Sequence, residues 1–389
     1  MVSIKSLKKW SPGISLFLLL TPLLVSCRVT NAPNPPSTTI SPPASAIVAP
    51  ITTVAISPTE VAWSKVIDAA KKEGKVNVYS YNMTGDIGIA VAKAFKQKYG
   101  IDVEILTGMA TALNERILTE QRMKTVVADI QDSNSSNTGN LKDAGATVGS
   151  SELPALRQSG VWRVEPWASD PEKHIMIHTL AYYTSFINTD VVKASDEPKS
   201  FRELTQPKWR GKVIQTDPRI VSGSGNFFTT LLQRKLMDQE TVRAIGTNNV
   251  NYVTTDQESR TGLIQGRYSL ILMVSPGSFA TALKEGITLP VKPLAFEEGT
   301  LVTNRAMTAI KGSPHPNAAK LLMDWLLTLE GQTVFLQAVG LPPVRSDVPD
   351  FTPPAMRFTP VKVIAPTLEE EKENLRMFRE NYLAKLWGR

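Results

Sequence analysis

Five residues, Ser222-Gly223-Ser224-Gly225-Asn226, carry the clearest chemical signal in the chain. They stand directly before an apolar stretch, Phe227 to Leu236, that reads as a helix. Glycines there let the backbone approach a bound group. Free N–H groups and hydroxyls at a helix start favour an anion such as a phosphate, phosphonate or carboxylate. The same residues also make a plain Ser-capped helix start that needs no ligand, and residue types alone weigh the two evenly. Three polar stretches add uncharged donors: Ser80 to Thr84, with Ser80, Tyr81, Asn82 and Thr84; Thr107 to Thr111, with Thr107 and Gly108; and Asp132 to Ser136, with Ser133 and Asn134. Each alone reads as a turn. Ser275 and Ser278 flank Pro276-Gly277, and Glu297 has the charge to hold an amine, with a surface acid as the simpler reading. No Walker loop or zinc-protease motif occurs, and Val221 stands where a Gly-x-Ser-x-Gly elbow needs its first glycine. His174 and His178 lie four apart without a Glu motif and precede a strand, and His315 stands elsewhere, so no metal site is expected. The residues therefore point to a binding protein with no cofactor rather than to an enzyme.

Elements that would hold these groups follow from apolar spacing. A helix over Trp63 to Lys72 ends at Gly74, and Lys75 to Ser80 reads as a strand. A second helix runs from Ile87 to Tyr99, a second strand from Ile101 to Ile105, a third helix from about Ala112 to Lys124, and a third strand from Val126 to Ile130. Strands alternating with helices imply βαβ units and a parallel sheet, whose ligands bind beyond the carboxyl ends of the strands. The three polar stretches sit at those ends. A helical stripe of Leu375, Phe378, Tyr382, Leu383 and Leu386 near the C-terminus predicts a segment that packs back on the fold.

The first residues read differently. Lys5, Lys8 and Lys9 precede an apolar run from Ile14 to Leu23, as in a secretory signal. Leu24-Val25-Ser26-Cys27 resembles a bacterial lipobox, and Cys27 is the only cysteine, which excludes an internal disulfide. Residues 28 to 58 hold seven prolines, nine Ser or Thr and no acid, a composition that suits a disordered tether to a lipidated Cys27. The formal charge of +7 is spread without a dense basic block, so nucleic acid is not expected as a partner.

An ordered set of short matches then runs along the chain: Ala69-Ala70-Lys71-Lys72-Glu73-Gly74-Lys75-Val76, Ala128-Asp129-Ile130, Asn188-Thr189, Pro207-Lys208-Trp209-Arg210-Gly211-Lys212-Val213, Asp217-Pro218, Glu297-Glu298-Gly299, Pro314-His315-Pro316-Asn317-Ala318-Ala319-Lys320, Asp324-Trp325-Leu326-Leu327 and Val344-Arg345. In this it resembles the extracellular solute-binding lipoproteins of bacterial ABC importers, in their iron-binding and organic-anion-binding branch. The resemblance implies an α/β, two-lobed type 2 periplasmic-binding-protein fold with hinge strands and an interlobe cleft. It implies a signal peptide over 1–26, the lipidated Cys and tether over 27–58, lobe one over 59–180 plus 293–345, lobe two over 181–292, and a C-terminal helical segment over 346–389. Iron-binding members place a His, a Glu and adjacent tyrosines where this chain has Met83, Asn134 and Pro276-Gly277, so ferric iron is disfavoured as ligand. Tyr182-Tyr183 falls on the implied hinge. The implied protein is a monomer that is exported and lipid-anchored at the cell membrane, facing the periplasm or the cell exterior. It would capture a small organic anion and deliver it to a membrane permease. A surface lipoprotein that senses the ligand and signals to a receptor is the alternative.

Overall fold

A computed structural model describes residues 58–389 apart from 249 and 285. Cys27, the signal sequence and nearly all of the tether lie outside the described residues. The opening alternation is as the spacing predicts: α1 (Pro58–Glu73), β1 (Lys75–Ser80), α2 (Asp86–Tyr99), β2 (Asp102–Thr107) and α3 (Ala110–Arg122). Gly100 closes α2 in the left-handed region at φ 75°, where its N–H donates to the Lys96 carbonyl. β1 and β2 pair in parallel from Lys75↔Asp102 to Ser80↔Thr107.

The third strand is displaced from its expected place. Val126 and Val127 invite a strand, yet the Val127 N–H donates to the Glu120 carboxylate, at 3.0 Å, rather than to a ladder. Pairing with β1 starts at Val78↔Ile130, so β3 is Ile130–Asn134, and α4 (Ser135–Asp143) follows at once. The stretch from Asp132 to Ser136 is thus a strand end joined to a helix start, not a loop.

The chain continues through β4 (Thr147–Val148), β5 (Met176–Asn188), β6 (Val213–Thr216), α5 (Gly223–Gln233), α6 (Gln239–Thr247), β7 (Asn251–Val253), α7 (Asp256–Ile264), β8 (Leu270–Val274), α8 (Gly277–Lys284) and β9 (Val291–Leu294). Next come β10 (Thr300–Ile310), α9 (Pro316–Leu327), α10 (Leu329–Val339), β11 (Val363–Ile364), α11 (Leu368–Arg379) and α12 (Tyr382–Leu386). The helix expected from Phe227 begins four residues earlier, because the Ser222 hydroxyl accepts the Gly225 N–H and draws the glycines into the first turn of α5.

The strands follow the order β2-β1-β3-β10-β5-β8-β6-β7 in one mixed sheet. The first half of β5 pairs antiparallel with β10, and its second half turns to β8 and β9. Two main apolar cores lie on either side of this shared pair. One gathers Val76, Val78, Phe95, Trp325 and Phe335; the other gathers Phe201, Phe227, Phe228, Phe296 and Trp387. Both are fed by residues far apart in sequence.

Candidate functional site

Parallel register brings the three polar stretches side by side. Ser80 is opposite Thr107 on one side and Asp132 on the other. Beneath them lies a buried network centred on Asp132, which has no exposed surface. Its carboxylate accepts the Ser80 hydroxyl at 2.5 Å, the Asn82 amide at 2.9 Å and a ring nitrogen of His178 at 2.8 Å. The Ser80 hydroxyl in turn accepts the N–H groups of Asn82 and Met83. Such a network fixes the β1 and β3 ends rigidly, because every member left unpaired in a dry interior costs free energy.

Immediately above, Asn134 caps α4, its Oδ1 accepting the Asn137 N–H at 2.9 Å. The Ser133 and Ser135 hydroxyls are buried and have no hydrogen-bond partner. On the other side of the shared strands, Ser222 caps α5 and its hydroxyl lies 3.3 Å from that of Ser224. Glycine is required here by proximity: a Cβ on Gly223 would stand 2.3 Å from the Met273 carbonyl oxygen, and one on Gly225 would stand 2.3 Å from Phe378.

Helix α11 packs against both α4 and α5. Thr367 and Glu370 form a capping box at its start. Its buried face is polar at two positions, Glu371 and Asn374. The Glu371 carboxyl lies against the hydroxyl and N–H of Ser136 in the first turn of α4, and burial pushes it up to about 7. Asn374 donates to the Thr230 hydroxyl and accepts from Gln233, both on α5. Arg234 forks onto Glu370 at 2.7 and 2.6 Å. The segment before α11 walls a cavity of about 520 Å³ against the centre of the β5–β10 pair, with Leu180, Tyr182, Val302 and Asn304 opposite Pro366 and Leu368.

The residues singled out in the sequence divide accordingly. Ser80 and Asn82 are buried, their polar groups committed to Asp132 and its neighbours. Tyr81, Thr84, Thr107 and Gly108 are exposed at the strand ends, and Ser133 is buried. Ser222 to Asn226 form the first turn of α5, beneath α11. Ser275 follows β8 with a buried hydroxyl that has no partner, Ser278 lies in α8, and Glu297 is exposed. The neighbouring Glu298 holds the Ser200 hydroxyl and the Phe201 N–H. Met83 is buried, Asn134 is a cap and Pro276 precedes α8. Among the described residues, no three His, Cys, Asp or Glu side chains group to hold a metal. Sequence reasoning put Asp132 in a ligand-facing stretch and set His178 aside with His174, without linking the two, and it missed Glu371 and Asn374. The helical spacing of Glu371, Asn374 and Phe378 was the available signal for the last two.

Two α/β lobes that share a central antiparallel strand pair, with helix starts converging between them, define a type 2 periplasmic-binding-protein fold. The chain belongs to the family of bacterial extracellular solute-binding proteins, which it matches over residues 90–359. As a member of that family it is a solute-binding protein, and the family is one of exported proteins. Among solved structures it is similar to iron-bound HitA from Pseudomonas aeruginosa, at 23% identity and a TM-score of 0.63, over 79% of this chain and 99% of that one. The ferric binding protein from Campylobacter jejuni is similar at 17% identity and a TM-score of 0.65, over 79% and 98%. AfuA from Actinobacillus pleuropneumoniae, with fructose 6-phosphate bound, is similar at 17% identity and a TM-score of 0.63, over 79% and 98%. No helix among the described residues is long and apolar enough to cross a membrane.

Proposed function

We propose that this protein captures a small organic anion between its lobes and delivers it to a membrane permease, working as a monomer without catalysis and tethered by a lipid on Cys27. Lobe one then comprises residues 59–180 and 293–345, lobe two 181–292, and residues 346–389 return across both. The observation that carries the reading is the register of Ser80, Thr107 and Asp132, which sets three polar strand ends and the α4 start side by side. Two kinds of ligand appear in the related structures named above, iron and a phosphorylated sugar. Iron(III) needs anionic oxygen donors, which Met83, Asn134 and Pro276-Gly277 do not supply. Helix starts and hydroxyls suit the second kind.

The test is a thermal-shift screen of phosphonates, phosphorylated metabolites and di- and tricarboxylates. A ligand selective for the folded state adds about 2.7 kcal/mol at a hundredfold excess over Kd. The hit is retested on Ser222→Ala/Ser224→Ala, where loss of hydroxyls facing a charged group lowers affinity about ten- to hundredfold. Unchanged affinity removes the α5 start from the site. Binding of neutral or cationic solutes alone refutes the anion assignment.

A further inference from the structure

Helix starts and hydroxyls offer a solute only partial positive charge, and the shared strand pair supplies a full one. Arg305 lies at the centre of β10, directly opposite Asn134 of β3 and Thr179 of β5. It is half-buried, and among the described residues no hydrogen bond or ion pair engages its guanidinium. Other cations withdrawn from solvent are matched. Arg345 forks onto Asp347, Arg234 forks onto Glu370, and Lys142 meets Asp170. A guanidinium stays charged at any working pH, so one left half-buried without an acceptor costs stability unless a further group pairs with it.

The neighbours of Arg305 offer donors rather than acceptors. Residues opposed in a ladder share a face of the sheet, so Arg305 stands beside Asn134. The one side-chain oxygen of Asn134 is already taken three times, by the Ser136 hydroxyl at 3.0 Å, the Asn137 N–H at 2.9 Å and the Asn137 amide at 2.8 Å. On the other side the Thr179 hydroxyl donates to the Pro342 carbonyl. β5 carries one residue more than β10 at this point, His178 between Ile177 and Thr179, and its ring is committed to Asp132. Such a bulge is a common device for aiming a side chain at a site. The same face also meets the second lobe. Leu301, four residues back on β10, is opposite Tyr183, whose ring would stand 2.3 Å from a Cβ on Gly223 in the first turn of α5. Arg305 and the α5 start thus share one face of the strand pair, with about 13 Å along the strand between Leu301 and Arg305.

We propose that Arg305 is the charged anchor of the solute site, its guanidinium forking onto a phosphoryl or carboxylate group of the bound solute while the α5 start takes a second polar part of it. This rests on the anion-binding reading above and names the residue that supplies its charge.

The test uses the full chain with two probes, fructose 6-phosphate for a phosphoryl group and citrate for a carboxylate. Calorimetric titration gives affinities for the parent, Arg305→Met and Arg305→Lys, and melts without ligand give their stabilities. At least one probe should bind the parent, and which one binds tells the two groups apart. Arg305→Met keeps an apolar stem and should weaken that binding about ten- to hundredfold. Arg305→Lys keeps the charge without the fork and should weaken it less. Without ligand, Arg305→Met should melt no lower than the parent, because it removes no bond within the protein. A ligand-free melt lower by about 5 °C or more gives the guanidinium a structural role and overturns the proposal. Unchanged affinity in Arg305→Met overturns the anchor while leaving anion capture intact. If neither probe binds the parent the anchor falls, and anion capture falls with it only if the wider screen of anions also finds nothing.

Discussion

Replacing Asp132 tests whether the floor of the site is held by its buried polar network. Three donors converge on this carboxylate, from Ser80, Asn82 and His178, at 2.5, 2.9 and 2.8 Å. Asp132→Ala leaves the Ser80 hydroxyl and the His178 ring nitrogen without this acceptor in a site that has no exposed surface, while the Asn82 amide keeps the Ser133 carbonyl at 2.8 Å. Each orphaned buried donor costs about 1–3 kcal/mol, so two of them give an expected loss of about 3–5 kcal/mol. Over about 330 folded residues the unfolding entropy is roughly 0.7 kcal/mol/K, so the melting temperature should fall by about 4–7 °C. Asp132→Asn keeps one acceptor oxygen and sets an amide against a donor, so its loss should be about half as large. Calorimetry and urea titration at pH 7 read both variants. A buried carboxylate also carries a desolvation penalty that alanine removes. If both variants stay within about 1 kcal/mol of the parent, that penalty cancels the hydrogen bonds and the network does not hold the site.

Asp324 gives a pH-dependent expectation. Burial pushes its carboxyl up to about 6, against the lowering effect of the Ala155 N–H that it accepts at 2.7 Å. Its folded value lies above its unfolded one, so the stability it contributes is complete below about pH 4 and is lost as pH rises through about 6, by about 3 kcal/mol. Asp324→Asn should therefore be the more stable protein at pH 8 and level with the parent at pH 4, as read by urea titration at each pH; a gap that does not change with pH rules this out. For the proposed anchor, Cys27→Ala expressed in a bacterial host should move the protein from the membrane fraction to the soluble one, and unchanged fractionation refutes the anchor.

The alternation from α1 to α3 was legible because its helices and strands carry their own apolar periods, and Gly74 and Gly100 mark their ends. β3 was misplaced because Val126 and Val127 have strand character while their backbone answers to Glu120, a partner seven residues back that no local pattern reveals. The α5 boundary was misplaced because glycine argues against a helix unless a cap such as Ser222 offsets it. At the site, the small polar residues were visible in the sequence but not their allegiance. Ser80 and Asn82 look like ligand donors until Asp132 is found between them. His178 was weighed against His174 as a metal pair, although its partner lies 46 residues away. Glu371 and Asn374 lie outside the apolar stripe that the sequence offers, and nothing within α11 tells that α4 and α5 pack against them.

The shared strand pair also sets an order of events during synthesis. β10 lies between β3 and β5, so the first sheet half is incomplete until residues past 300 are available. The Glu73 carboxylate that ends α1 receives the Asn317 N–H, 244 positions later, and Trp387 donates its indole N–H to Val242, 145 positions earlier. A chain delivered from its N-terminus therefore cannot close either core early, and pairings of such long range fold slowly. For an exported protein this delay is useful, because a chain whose two cores both wait on its late segments stays unfolded for longer.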